Sequence, residues 1–246
     1  MSMDDKFAAL VARLEAVTTK LESGAGAGGP PVVAGTVASA ADADDGVVSP
    51  SVQAFDDFIN TEVAAFVTAA KAIGDAGVAD QAETAMKAFQ AQRDMLKVVS
   101  KAKKPSDGDF QSKCLPATSE LLGQVQSKVD RKSKNFNNLQ ALGESIPALG
   151  WVCVPKTPGP HVADMWASGE YYYMKILKEF KGKDESQMKY AQTLKEVFVK
   201  LQAYIKEYHR TGLEWSPKGV DLAAAMASSG GGAAPLPPVA GGGAPP

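Results

Sequence analysis

The chain has 246 residues, of which 45% are hydrophobic and 22% charged, enough for one well-cored domain with tails or two small domains. Its formal net charge is −2, with three basic and seven acidic side chains in residues 1–50 against 22 and 20 in residues 51–216, which excludes a strongly basic nucleic-acid-binding domain. Two cysteines, Cys114 and Cys153, exclude a disulfide framework or a four-cysteine zinc site, and no apolar run reaches the length of a membrane span. The acidic opening Met1-Ser2-Met3-Asp4-Asp5 is unlike a secretory signal, so the expectation is a soluble, cytoplasmic chain with reduced thiols.

Residues 1–22 carry Met3, Phe7, Leu10, Leu14, Val17 and Leu21 at alternating four- and three-residue steps, the a/d seam of a short coiled-coil helix. Such a helix is about 30 Å long and marginal alone, so it needs a partner for its seam. The g positions Lys6, Arg13 and Lys20 are all basic. They would repel in an antiparallel pair but face Asp4, Val11 and Thr18 in a parallel one, which points to a parallel homo-oligomer. Folding back onto the rest of the chain is the other outcome. Residues 23–50 are small, glycine-rich and nearly free of large apolar groups, the composition of a flexible linker.

Residues 51–216 read as helix throughout. Ser49-Pro50 looks like an N-cap followed by a first-turn proline, and Val52, Phe55, Ile59, Val63, Phe66, Val67 and Ala70 follow at helical spacing until Gly74 and Gly77. A second helix carries Ala82, Met86, Phe89, Leu96 and Val99 and stops before Pro105. The third runs from about Pro116 to Asp130, and the fourth carries Phe136, Leu139, Leu142 and Ile146 with a kink at Pro147. Val162, Met165, Tyr172, Ile176 and Phe180 mark the fifth, and Tyr190 through Tyr208 the sixth. Only Trp151-Val152-Cys153-Val154 hints at a strand. The predicted fold is therefore all-α: an antiparallel six-helix bundle preceded by a short coiled-coil helix and a flexible linker. Residues 217–246 end in a Gly/Pro-rich run and are expected to be a disordered tail.

No enzyme chemistry is legible. His161 and His209 stand in no metal-ligand spacing and read as surface or capping residues, and the cysteines as buried apolar ones. No phosphate loop, dinucleotide fingerprint or nucleophile elbow occurs, and the acid pairs sit at helix starts or in linkers. No cofactor or metal is expected. Interaction features are richer. Lys101, Lys103, Lys104 and Pro105 close the second helix, either complementing its dipole or forming a binding patch. Pro155 to His161, including Pro158, Gly159 and Pro160, reads as a stiff protruding turn that loses little entropy on docking. Tyr171-Tyr172-Tyr173 covers most of a helix circumference, so one ring must face outward.

Longer stretches carry a family likeness. Phe136-Asn137-Asn138-Leu139 through Glu144-Ser145-Ile146-Pro147-Ala148-Leu149-Gly150-Trp151-Val152 resembles the FNxL…ESIxxLGWV segment of cyclase-associated proteins. Thr157-Pro158-Gly159-Pro160-His161-Val162, Ile176 to Lys181 and Leu201 to Trp215 are similar in the same order, as are Lys103-Lys104-Pro105-Ser106 and the heptads of Leu10 to Glu22. Four departures from the pattern occur: Pro147 interrupts a helix, Tyr190 replaces a common tryptophan, Tyr173-Met174-Lys175 replaces a more polar stretch, and Gly169 falls inside the fifth helix. By helix propensity Gly169 costs up to about 1 kcal/mol relative to alanine.

The resemblance implies an actin-binding regulator whose helical domain works with cofilin at filament ends, oligomerises through its N-terminal heptads, and is cytoplasmic and cytoskeleton-associated. It further implies adenylyl cyclase as a partner of the heptads, the basis of an alternative reading as a signalling scaffold. Profilin or SH3-type domains are the implied partners of the proline-containing tail. Neither the family's actin-monomer-binding motif nor its β-sheet domain has a counterpart in these residues, so an N-terminal half or a shortened form is expected.

Overall fold

The computed structural model describes residues 48–229; the heptad segment, nearly all of the linker and the tail beyond Ser229 lie outside them. Helix α1 comprises Pro50–Phe58, a π-helical turn Ile59–Val63 and Ala64–Ala72. The Ser49 hydroxyl accepts from the Val52 N–H at 3.3 Å and Pro50 fills the first turn, as the sequence predicts. Two successive four-residue steps, Phe55 to Ile59 to Val63, would drift off one face of a regular 3.6-residue helix. The π turn absorbs the extra residue and keeps all three buried.

Gly74, with φ of 75°, reverses the chain, and the Asp75 carboxylate caps α2, Ala76–Lys101, through the Val78 N–H at 3.1 Å. Gly77 thus begins the second helix rather than ending the first. Between α2 and the next long helix lies an element the sequence reading missed, α3 (Asp107–Asp109), which runs on as a π turn over Phe110–Cys114. Ser106 caps it, accepting from the Asp109 N–H at 3.1 Å. Then come α4 (Pro116–Ser127) and α5 (Phe136–Ser145), the latter continuing as a 3₁₀ segment Ile146–Cys153. Helices α6 (Gly159–Phe180) and α7 (Glu185–Tyr208) follow.

The long helices form an antiparallel bundle. Arg93 meets Asp56 through two nitrogens at 2.5 and 2.9 Å while Lys71 meets Glu83 at 2.7 Å, so α1 and α2 run opposite ways. Tyr204 beside Ser51 and Tyr190 beside Phe66 set α7 against α1 in the same sense. Phe55, Phe66, Phe89, Leu142, Leu149, Trp151, Leu194 and Phe198 fill the centre. Among the described residues there is no strand, and the Trp151–Val154 hint belongs to the 3₁₀ segment.

Two departures from the family pattern are accommodated by packing. Pro147 has no N–H for the Gly143 carbonyl, which instead accepts from the Gln126 amide at 3.4 Å. Tyr190 is fully buried and its hydroxyl donates to the Asn138 carbonyl at 2.9 Å. Gly169 reverses the expectation. A Cβ there would lie 2.6 Å from the Ala141 carbonyl and 1.8 Å from the Ser145 hydroxyl, so the glycine sets the close approach of α5 and α6.

The C-terminal region also departs from expectation. Leu222–Ser228 forms helix α8, with Leu222 and Ala225 buried beside α2. The domain therefore extends to about Ser229 rather than ending at residue 216. Two apolar side chains at a three-residue step suffice to seat a short helix on an existing core, despite the Gly/Pro-rich run that follows.

Candidate functional site

The antiparallel arrangement sorts the loops to two ends. At one end, Asp75, Asn135, Asn138 and Gln187 form a chain of side-chain hydrogen bonds of 2.8–3.0 Å that joins the start of α2 to α5 and α7. The Val78 N–H holds the Asp75 carboxyl below its ordinary range, opposed by burial and assisted by the Asn135 amide.

The other end carries both predicted contact segments. Past Lys101 the chain is pinned by a returning strand-like stretch: the Val220 N–H donates to Lys101 at 3.0 Å, the Lys103 N–H to Val220 at 2.9 Å, and the Ser216 N–H to Ala102 at 3.0 Å. Gly219 makes this possible, since a Cβ there would sit 2.3 Å from the Lys101 carbonyl oxygen. Phe110 of α3 packs edge-on against Trp215 with ring centroids 5.6 Å apart. Lys103 and Lys104 are exposed on this fixed turn, and Pro105 is half-buried. Lys101 is half-buried and lines a groove of about 260 Å³ with Val48, Lys97 and Ser228. No carboxylate among the described residues pairs with Lys101, Lys103 or Lys104.

The proline segment sits at the same end. Gly212, with φ of 107°, lies against the Pro155 carbonyl, where a Cβ would come within 2.8 Å. Ser216, which bonds Ala102, is only four residues on from Gly212, so the two segments are held within roughly 14 Å of chain. The protruding turn differs from expectation in extent. Pro158 is buried, Gly159 and Pro160 open α6, and only Pro160 of those three is exposed; the projecting residues are Pro155, Lys156 and Thr157. Proline without an N–H is well suited to a first helical turn, which explains the shift.

Beneath this end lies a polar cluster that sequence spacing did not reveal. Gln92 is fully buried; its amide donates to the Leu149 carbonyl at 2.7 Å and its oxygen accepts from the Trp151 indole at 3.0 Å. His161 clamps the same 3₁₀ segment through the Pro147 carbonyl at 3.1 Å. His209 holds the C-cap position of α7, as read, but it is buried rather than at the surface, its ring tilted 35° against Trp151 with centroids 5.0 Å apart. The Tyr204 hydroxyl donates to the Ser51 carbonyl at 3.1 Å and so accepts from His209 Nε2 at 3.0 Å. That assigns the proton to Nε2 and leaves Nδ1 buried without a partner. Cys114 is buried as expected, whereas Cys153 is exposed.

Burial lowers the His209 pKa from 6.5 to about 4. The unfolded chain then binds the extra proton between those values, so this residue's contribution is intact above pH 6.5 and fades as pH falls towards 4. Stability should drop by about 2 kcal/mol between pH 7 and 5, a slope that His209→Asn should flatten in urea titrations at the two pH values. An unchanged slope would contradict a neutral, buried imidazole.

The arrangement offers a surface for recognition at the end of the bundle. Among the described residues no three His, Cys, Asp or Glu side chains are placed to share a metal ion, and no helix is long and apolar enough to cross a membrane. The larger groove, about 750 Å³ between α6 and α7 and lined by Tyr173, Leu177, Met188 and Lys189, gathers no convergent acids or imidazoles.

Comparison with known proteins bears on what meets such a surface. The family model described as "CAP, N-terminal domain" matches residues 55–213. The adenylyl cyclase-associated protein of Dictyostelium discoideum is 38% identical over 182 residues, covering 73% of this chain and 39% of that protein. Adenylyl cyclase-associated protein 2 of Mus musculus is 38% identical over 224 residues, covering 89% and 46%. The chain thus spans less than half the length of these curated relatives. The solved N-terminal domain of the Dictyostelium discoideum protein superposes with a TM-score of 0.68 at 37% identity, covering 70% of this chain and 98% of that one. A second crystal structure of a CAP N-terminal domain, described as indicating variable oligomerisation, gives 0.68 at 38%, with coverage of 71% and 95%.

Proposed function

The chain belongs to the cyclase-associated protein family, matching its N-terminal domain, and from that premise we propose that it is an actin-binding regulator promoting cofilin-dependent filament disassembly and monomer recycling. The observation that carries the reading is the shared end of the bundle. Lys103 and Lys104 stand exposed on a backbone fixed by Val220 and Ser216, and Gly212 ties the Pro155–Pro160 segment to the same stretch. A rigid cationic end next to a rigid proline turn suits the acidic surface of a protein partner, because little conformational freedom is lost on docking.

The mechanism is differential binding. A body that holds the terminal actin subunit more tightly in its departing arrangement than in the filament lowers the barrier to release, with no covalent step. Assembly through Met3, Phe7, Leu10, Leu14, Val17 and Leu21 would place several bundles at one filament end and raise their effective concentration. The reading places the protein in the cytoplasm on the cytoskeleton, without enzymatic activity. Profilin or SH3-type domains would be partners of the tail. The relatives' shared name favours a second reading, in which the heptads recruit an adenylyl cyclase helix. Deleting residues 1–22 separates the two: it should remove cyclase recruitment and leave a basal effect on actin.

The test is single-filament microscopy with cofilin. The full chain should speed shortening, and the double reversal Lys103→Glu and Lys104→Glu should remove most of that gain. Shortening as fast with the variant as with the parent would take the basic turn out of the contact.

A further inference from the structure

One segment at the contact end carries strain that the proposed function does not use. Within Pro155-Lys156-Thr157-Pro158, Thr157 has a φ of 52°, the one positive value outside glycine among the described residues. That conformation is unfavourable twice over. A β-branched side chain crowds its own backbone there, and a following proline pushes the residue before it towards extended geometry. Strain of this kind persists only where the surroundings impose it, and it collects at functional sites. The anchors here are Pro158, buried ahead of α6, and Pro155, whose carbonyl lies against Gly212; Pro155, Lys156 and Thr157 themselves are exposed.

We propose that Thr157 is a phosphorylation site, accepting the γ-phosphoryl group of ATP from a protein kinase of the proline-directed class. In the step a bond forms between Thr157 Oγ1 and the γ-phosphorus, and the bond from that phosphorus to the oxygen bridging the β-phosphate breaks. ADP leaves, and the hydroxyl proton passes to the carboxylate base of the kinase. Pro158 has no N–H, so it fits a kinase that offers no hydrogen-bond partner just after the acceptor, where the N–H of any other residue would be left unpaired.

The structure selects this hydroxyl from three. Ser49, Thr157 and Ser216 are the hydroxyl-bearing residues that precede a proline in the sequence. Ser49 is half-buried, and its hydroxyl caps α1 through the Val52 N–H at 3.3 Å. Ser216 is half-buried and held on both sides, its N–H donating to Ala102 and its carbonyl accepting from Gly219, each at 3.0 Å. Thr157 is exposed, and among the described residues neither it nor Lys156 donates a hydrogen bond to another backbone group.

A kinase takes its substrate extended, and Pro158 is buried, so the turn must lift. Lifting breaks no backbone bond donated by Lys156 or Thr157, and it lets Thr157 leave the left-handed region for the geometry that Pro158 favours. The prolines keep their φ fixed throughout, so a stiff turn with one strained joint opens at that joint. The product places about two negative charges beside Lys156, on the end of the bundle that carries Lys101, Lys103 and Lys104. Weaker attraction to an acidic partner follows, a consequence that rests on the actin reading. The acceptor assignment does not rest on it, and its test uses no actin.

The full chain is incubated with a purified mitogen-activated protein kinase and magnesium ATP, and the modified residue is located by tandem mass spectrometry. About one phosphate per chain is expected, on Thr157, with Ser49 and Ser216 modified about tenfold more slowly or less. Thr157→Ala should lower incorporation about tenfold, with an unchanged circular dichroism spectrum because the residue is exposed. Pro158→Ala is the sharper variant. It loosens the buried anchor, so a hydroxyl limited by access alone would be modified faster; loss of the proline should instead slow modification about tenfold. No phosphate on Thr157 while a standard substrate in the same tube is consumed, phosphate mainly on another residue, or Pro158→Ala modified as fast as the parent would overturn the proposal.

Discussion

Replacing Gly169 with alanine is expected to destabilise the protein by about 2 kcal/mol or more, the cost of overpacking a closed interface. Helix propensity alone predicts the opposite sign, a gain of up to about 1 kcal/mol. The two effects differ in what can move. The Ser145 hydroxyl could swing aside from a new methyl group, at the loss of its 2.8 Å bond to the Ala141 carbonyl. The Ala141 carbonyl belongs to the α5 backbone and would stand 2.6 Å from the added carbon. Relief therefore requires α5 and α6 to separate, loosening the contacts around Leu142 and Ile176. The midpoint of urea unfolding should fall with little change in slope. Adding Ser145→Ala should recover only part of the loss, since the backbone clash persists. A stabilised Gly169→Ala protein would show that the two helices are not this close.

Gln92→Leu should be comparably costly, about 2–4 kcal/mol, although leucine fills a similar volume. It leaves the Trp151 indole N–H, in a residue with no exposed surface, without its acceptor and withdraws a donor from the Leu149 carbonyl. The identity of the partner can be checked by a double-mutant cycle. Trp151→Phe removes the orphaned donor, so the pair of substitutions should cost less than the sum of the singles by about 1–2 kcal/mol. Additive losses would mean that the amide and the indole are not partners. The 3₁₀ segment held by this bond leads directly into Pro155, so the same variant tests how firmly the contact end is supported from within.

The sequence was most legible where a single helix decides its own form. Ser49-Pro50, the apolar rows of α2 and α7, and the stop before Pro105 are local signals, and each corresponds to an observed boundary or buried face. Legibility ended where a residue's role depends on a distant neighbour. Gly169 reads as a weakness until Ala141 is placed against it, and the burial of the capping His209 shows only once Trp151 lies beside it. The π turn in α1 was visible only as two four-residue steps in a row. Helix α8 had a signal that the following glycines obscured: Asp221 before Leu222-Ala223-Ala224-Ala225-Met226 is a helix start in composition.

For the proposed interaction surface, the basic turn could be read as cations at a helix end, but its rigidity could not. That rigidity comes from Val220 and Ser216, more than a hundred residues later in the chain. The proline segment was recognised and its exposed part misplaced by a few residues, because Pro158 turns inward where α6 begins. The need for one outward tyrosine on α6 was legible, but that it is Tyr171, rather than Tyr172 or Tyr173, appears only in the structure.

The claim on which the functional account rests is that one end of the bundle, not its sides or its far end, meets the filament. Charge reversal at each end in the same cofilin-driven shortening assay tests it directly: Lys103→Glu with Lys104→Glu at the contact end, and Lys132→Glu with Lys134→Glu, also exposed, at the opposite one. The account predicts that the first pair loses most of the acceleration while the second keeps it. Loss with Lys132 and Lys134 reversed, and full acceleration with Lys103 and Lys104 reversed, would contradict it.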